Sequence, residues 1–308
     1  SGYRYELVFD IRDKYIKKAL YLSIPILIGV AISDLNAIID RTLASSLISG
    51  SISALNYANK LNSLILSVFI SAITTVTFPI LSKESNNNNV EGMKEIMQYG
   101  INLILLITIP ATVGLVVLAK PIVQVAFERG EFDAIATLMT SKALIFYSAG
   151  LVASSLNLFT TRVYYSLQDT KTPILNGAIS VCFNIVLNLV LVKFMAHAGL
   201  ALATSIATTI SMLLMFYGLR KKIGSLGTLS YIKCGLKSGL ASAIMGIVAY
   251  MIYQGLYEAL GVSKLYNLIS LAMAVGTGVI VYGILCYILG IEEIKDMVDK
   301  AKVRLARK

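Results

Sequence analysis

The chain has 308 residues, 56% hydrophobic and 14% charged, with a mean hydropathy of +0.76 and a formal net charge of +10. Soluble domains carry about 25% charged residues, so this composition excludes an ordinary soluble domain and indicates an all-α integral membrane protein. The apolar runs are continuous rather than alternating, which excludes a β-barrel.

In chain order, the opening SGYRYELVFDIRDKYIKK is a charged, amphipathic lead-in (1–18) with no initiator Met and no signal-peptide pattern. It reads as the interior of a longer protein. A helix needs about 20 mostly apolar residues to cross the hydrocarbon. Eight stretches qualify: 19–46, 55–81, 97–119, 139–165, 172–194, 198–219, 230–256 and 264–290. Pro25 is expected to kink the first. Between them, SKESNNNNVEGMKE (82–95) reads as a polar, mobile loop, FERGEFD (127–133) as a second loop, and LQDTKTP (167–173) as a tight turn with Pro173 in the first turn of the next helix. Lys193 to Gly199 forms another turn, and RKKIGSLGTLS (220–230) separates six helices from the last two. Gly235 and Gly239 form a GxxxG suited to close helix packing or to a lipid-facing groove. Residues 291–308 form a basic amphipathic tail.

If the spans alternate from an inside N-terminus, seventeen of the 27 Lys and Arg residues fall in inside segments and five in outside ones. That is a positive-inside bias. It places both ends in the cytoplasm and assigns the basic surplus to membrane lipids rather than to nucleic acid.

The cysteines Cys182, Cys234 and Cys286 each stand alone in apolar stretches, and the one histidine, His197, lies in a turn. Buried free thiols are expected, and no metal-ligand spacing or nucleophile arrangement is present. Paired carboxylates, a phosphate loop and HExxH are also missing from the sequence, so an enzyme is not expected.

Polar residues at helical spacing carry the chemistry. Asn56, Lys60, Ser63, Ser67, Ser71 and Thr74 are spaced 4, 3, 4, 4 and 3, a stripe down one face. Serines alone fit a tight helix seam as well as a cavity. Lys60 points to a water-filled, anion-attracting cavity, with Asn59 and Arg41 alongside. On the first span Ser33, Asn36 and Asp40 share one face, and Asp34 and Arg41 another. Asp40 and Lys60 lie equally far from Gly50, so they reach similar depth. Asp40 then either pairs with Lys60 or Arg41, or serves a cation. Asn184 and Asn188, and Thr204 and Thr208, are i,i+4 pairs on successive helices, with Asn188 and Thr204 expected to meet. Interhelical hydrogen bonding and a hard-cation site with Asp40 both fit.

The motifs IIDRTLASSL, GSISALNYANKLNSL, VTFPILSK, AFERGEFDA, RVYYSLQDTKTP and HAGLALATSIA occur in this order. Together they resemble the MurJ lipid II flippases of the multidrug/oligosaccharidyl-lipid/polysaccharide exporter superfamily. The resemblance is dense to about residue 222. It implies the second six-helix lobe (19–222) of a fourteen-helix alternating-access transporter, plus its last two helices (223–290) forming a lipid-tail groove. The lead-in then resembles the linker to a first lobe absent from this sequence. The implied substrate is lipid II, an undecaprenyl-pyrophosphate-linked disaccharide-pentapeptide moved from inner to outer leaflet. Lys60 falls where the family commonly has a cavity arginine. Lysine keeps the charge without the bidentate fork. Asn56, Asn59, Arg41, Ser63 and Ser67 accompany it as the substrate-facing set. Asp40, Asn184, Asn188, Leu200 and Thr204 fall on positions of a Na⁺ site described for the family, with no other cofactor implied. An exporter of another polyprenyl-linked glycan or small molecule is the alternative, and a non-transporting membrane scaffold is a second.

Overall fold

The computed structural model describes residues 13–260, 263–296 and 299. Residues 1–12 of the lead-in, most of the tail after 296, and the side chains of Pro25 and Ser33 lie outside the described residues, so the linker, tail and kink expectations fall there wholly or in part.

The described residues are helical, without strands, in the order α1 (Lys14–Ser45), α2 (Ser51–Ile65), a π turn (Leu66–Ile70), α3 (Ser71–Asn86), α4 (Val90–Val117), α5 (Ala119–Phe127), α6 (Ala134–Ala149), α7 (Leu151–Ser166), α8 (Lys171–Met195), α9 (His197–Ile223), α10 (Thr228–Leu260) and α11 (Lys264–Ile288). Six helices are long and apolar enough to cross a membrane, α2–α3 counting as one, and the bent pair α6–α7 makes a seventh. α1 is 32 residues long and stands outside that count, so the expected eight spans are met by six or seven among the described residues.

Two expectations are corrected, and one element is added. The Asn-rich stretch 82–95 is not a loop. α3 runs to Asn86 and α4 starts at Val90, because Asn89 caps α4 by accepting from Gly92 N at 3.1 Å and Asn88 takes the left-handed turn position at φ 55°. The stretch 139–165 is not one straight helix. It bends by 48° between α6 and α7 at Gly150, where a Cβ would lie 2.8 Å from Ser205 Cα. Only glycine lets α9 approach there, and Ser205 Oγ uses the approach to donate to Phe146 O at 2.6 Å. Finally, a short helix, α5, precedes FERGEFD. Tyr57, Phe127 and Phe132 stack beside it, with centroids 4.6 to 5.9 Å apart.

Helices in lipid gain little from apolar burial, so close packing and hydrogen bonds hold them. One core joins α3, α4, α7 and α9 around Met97, Phe159 and Leu219, and Tyr164 OH crosses it to Met215 O at 2.9 Å. A second joins α2, α6 and α9 around Ala58, Leu144 and Ala201. α10 packs on both α4 and α11. Tyr282 OH donates to Leu106 O at 2.8 Å and meets Ser238 Oγ at 2.7 Å, tying three helices together. The α10 seam runs through buried Ser238, Ala241, Ser242 and Ala249, not through the GxxxG: a Cβ at Gly239 would meet nothing within 4 Å, and one at Gly235 only Leu105 Cδ1 at 3.9 Å. The outer faces of α1, α8, α10 and α11 expose Leu27, Val186, Ile247 and Val279, as contact with acyl chains requires.

Candidate functional site

Asp40 lies in the last turns of α1, where α1 packs on α8. It accepts from Asn188 Nδ2 at 2.6 Å, and the same amide donates to Asn184 Oδ1 at 2.8 Å. Asn184 Nδ2 reaches Thr204 Oγ1 at 3.3 Å, and Thr204 Oγ1 donates to Leu200 O at 3.0 Å. Turned over, the Asn184 amide places its nitrogen 3.0 Å from Asn36 Oδ1 and 3.3 Å from Asp40 Oδ1, while its oxygen accepts from Thr204 N at 3.1 Å. All five residues of the expected cation set therefore meet at one place. The expected Asn188–Thr204 contact does not form; Thr204 bonds Asn184 instead. Ala196 alone connects α8 to α9, and a Cβ at Gly199 would lie 2.4 Å from Leu191 O. This close seating brings Thr204 against Asn184.

Asn184 and Asn188 are the buried residues of α8, and Asn188 Oδ1 is buried without a partner. An orphaned amide oxygen beside a carboxylate, a hydroxyl and the Leu200 carbonyl is a set of hard oxygen donors that fits a cation such as Na⁺. Among the described residues no group of three His, Cys, Asp or Glu could hold a metal ion.

Asp40 also lines a pocket of about 100 Å³ with Arg41, Asn56, Asn59 and Tyr147. Tyr147 was not foreseen; an aromatic inside an apolar run carries no signal until α6 is folded against α2. Lys60 does not line this pocket, and Asp40 forms no ion pair with Lys60 or Arg41; ion pairs form elsewhere, at Lys94–Glu91 and Lys222–Asp169. Instead Lys60 is exposed, its Nζ 5.9 Å from the Tyr57 ring centre.

The stripe on the second span holds for only half its length. Asn56, Lys60, Ser63 and Ser67 are exposed, but Ser71 is half-buried and Thr74 buried. The π turn between them inserts an extra residue and rotates the face; Ser71 Oγ follows it by donating to Leu66 O, five residues back, at 3.3 Å. Cys234 and Cys286 are buried and free as expected, whereas Cys182 is exposed, because α8 buries little besides its two asparagines.

Between α4, α10, α11 and the π turn lies a second feature, an apolar groove of about 500 Å³ lined by Phe69, Ile107, Pro110, Met245, Val275 and Val279.

The family model described as Lipid II flippase MurJ matches residues 1–287. The probable lipid II flippase MurJ of Vibrio cholerae is 40% identical over 208 residues, 68% of this chain and 40% of that protein. The lipid II flippase MurJ of Burkholderia cenocepacia is 30% identical over 212 residues, 69% of this chain and 41% of that protein. The chain thus spans about 40% of the length of these curated relatives. Among solved structures, a lipid II flippase MurJ in an inward closed conformation matches with a TM-score of 0.72 at 29% identity, over 95% of this chain and 57% of that one. An outward-facing MATE transporter of the MOP superfamily shares the fold at a TM-score of 0.60 and 17% identity, over 88% of this chain and 64% of that one.

Proposed function

The chain belongs to the lipid II flippase MurJ family, and on that premise we propose that it carries lipid II from the inner to the outer leaflet of the bacterial cytoplasmic membrane by alternating access. In this reading 19–222 is one lobe rocking against an opposing lobe, and the apolar groove between α4, α10 and α11 takes the lipid tail. Asp40, Asn184, Asn188, Leu200 and Thr204 would hold a coupling Na⁺, which would supply a positive charge shared by oxygens of α1, α8 and α9. Lys60 meets the substrate pyrophosphate, with Asn56, Asn59, Arg41, Ser63 and Ser67 lining its approach.

The observation that carries the reading is the exposure of Lys60 on a helix otherwise suited to lipid. A cation facing hydrocarbon costs about 2.5–3.5 kcal/mol by insertion scales. Among the described residues no carboxylate pairs with Lys60, and the Ser63 and Ser67 hydroxyls are spent on Lys60 O and Leu64 O. The face is stable only if it is wet, and a wet cationic face inside a membrane is an anion site.

The test is a Lys60 series in the intact protein, scoring flipping and membrane abundance separately. Lys60→Ala is expected to lose flipping at normal abundance. Lys60→Arg should keep or improve it, because guanidinium engages two phosphate oxygens at once. Lys60→Glu should be the worst. An active, abundant Lys60→Ala removes the pyrophosphate role. Topology is tested by impermeant thiol reagents in a Cys182→Ser background: Asn87→Cys should be shielded in intact cells and Gly130→Cys labelled.

A further inference from the structure

Resting on the cation-coupling reading, we propose that the polar pocket between α1, α7, α8 and α9 is a hydrated access path that delivers the coupling cation to Asp40 from the end of the bundle bearing the 167–170 turn. The pocket has a volume of about 290 Å³ and is lined by Asn36, Asn157, Thr161, Gly177, Ser180 and Thr208, among others, none of them charged.

Pocket and cation site lie on the same helix faces. On α8, Pro173, Gly177, Ser180, Asn184 and Asn188 are spaced 4, 3, 4 and 4; on α9, Met215, Ser211, Thr208, Thr204 and Leu200 repeat 4, 3, 4 and 4 in the opposite sense. Such spacing keeps each set on one face. The first three members of each set line the pocket, and the last two belong to the Asp40 cluster. Asn36 joins the two, lining the pocket while its Oδ1 sits 3.0 Å from the Asn184 amide. Pro173 to Asn184 is about 16 Å of helix, roughly half the ~30 Å hydrocarbon core.

The chemistry of the walls selects for cations. Thr161 Oγ1 donates to Asn157 O at 2.7 Å, Thr208 Oγ1 to Thr204 O at 2.7 Å and Ser180 Oγ to Ala207 O at 3.1 Å. Asn157 Nδ2 donates to Thr208 O at 2.9 Å, leaving its Oδ1 buried and unpartnered. With these hydroxyl protons and one Asn157 amide proton spent on backbone, the walls offer lone pairs, the ligand a partly dehydrated Na⁺ needs. A Cβ at Gly177 would meet nothing within 4 Å, so this glycine opens onto the pocket instead of seating a neighbour.

The experiment uses the intact protein with Cys182→Ser, in sealed vesicles of known orientation. Ser180→Cys and Thr161→Cys should react with a small charged thiol reagent applied to the side of the 167–170 turn. The rate should exceed that of the lipid-facing Val186→Cys by at least about tenfold, since only a hydrated thiol ionises readily. Rates no faster than Val186→Cys would overturn the path, whatever Na⁺ does. Separately, Na⁺ against K⁺ should stabilise the parent protein to heat; no difference would overturn the cation reading, and the proposal with it, even if the thiols react. Finally, Gly177→Leu should slow the onset of Na⁺ binding several-fold, read by stopped-flow tyrosine fluorescence, while leaving the equilibrium Na⁺ stabilisation in place. An unchanged onset would overturn the path, because a Leu side chain fills the volume the ion must cross.

Discussion

Asp40 and Lys60 carry opposite charges on neighbouring helices, and their surroundings could hardly differ more. Asp40 sits at the junction of α1, α8 and α9 with an amide donating to it at 2.6 Å and further amide and hydroxyl groups behind. Lys60 stands on the exposed face of α2 with an aromatic ring as its neighbour. An enclosed charge must be satisfied by its protein neighbours or by a bound ion. An exposed one is satisfied by water and stays available to whatever anion arrives. The one is built into the fold; the other is left out of it.

The largest effect that sharpens this contrast is at Asp40. Asp40→Ala takes from the buried Asn188 amide one of its two acceptors, leaving Asn184 Oδ1. The expected loss is about 1–2 kcal/mol, between the ~0.6 typical of interhelical bonds in membranes and the ~3 upper bound for charged partners. Any Na⁺-dependent stabilisation should vanish too. Asp40→Asn separates the two effects: its carbonyl still accepts from Asn188, so stability without Na⁺ should largely return while the Na⁺ response stays lost. Thermal unfolding in detergent, with Na⁺ or K⁺, reads both. Full Na⁺ stabilisation in Asp40→Asn would place the ion elsewhere.

Asp169 gives the comparison a middle case, a carboxylate with a genuine lysine partner. It bonds Lys222, accepts from Lys171 N at 3.1 Å and Thr172 N at 3.0 Å, and accepts from Thr172 Oγ1 at 2.7 Å. Partial burial pushes its carboxyl up, but Lys222 and Thr172 outweigh that and hold it below the ordinary carboxylate range. A depressed folded pKa contributes stability that is complete above the unfolded value of about 3.9 and is lost as pH falls through the folded value. Acidification below about pH 4 should therefore loosen the α7–α8 turn from α9. Asp169→Ala, which also removes the cap of α8, should cost about 1 kcal/mol and abolish that acid dependence. Proteolysis at the 167–170 turn as a function of pH reads it; an acid profile identical in the variant would remove the role.

What the sequence disclosed follows from how local each signal is. Apolar length marks most of the spans, and the i,i+4 asparagines announce the face of α8 that meets Asp40, because both signals are written within one helix. The π turn, by contrast, is written in no residue type: LSVFI looks like ordinary span, so a stripe extrapolated at 3.6 residues per turn runs off its face after Ser67. The Gly150 bend depends on how close α9 comes, and the place of Tyr147 on how α6 packs against α2. The Asn89 cap was legible, since an Asn before a helix is a standard start signal, but the polar run around it reads more readily as loop. Contacts between helices, and the breaks that permit them, are what a single sequence withholds.

The smallest expected change is the one that most sharply separates the two charges. If Lys60 is left out of the fold, Lys60→Ala should alter stability by no more than about 0.5 kcal/mol, the range of surface substitutions away from caps and networks. The contacts it loses are few: no carboxylate among the described residues pairs with it, and the Tyr57 ring, at 5.9 Å, is worth about 0.5–1 kcal/mol at an exposed site. Alanine is also a better helix former than lysine by a few tenths, which offsets part of that. The Ser63 hydroxyl keeps its bond to the backbone oxygen of residue 60 whatever side chain stands there. Thermal unfolding of Lys60→Ala should therefore overlay the parent in either salt, while Asp40→Ala shifts in both. A Lys60→Ala loss above about 1 kcal/mol would mean that Lys60 has a structural partner, since exposed positions without one stay near zero. It would then belong to the same class as Asp40, and its loss of flipping could no longer be assigned to the substrate.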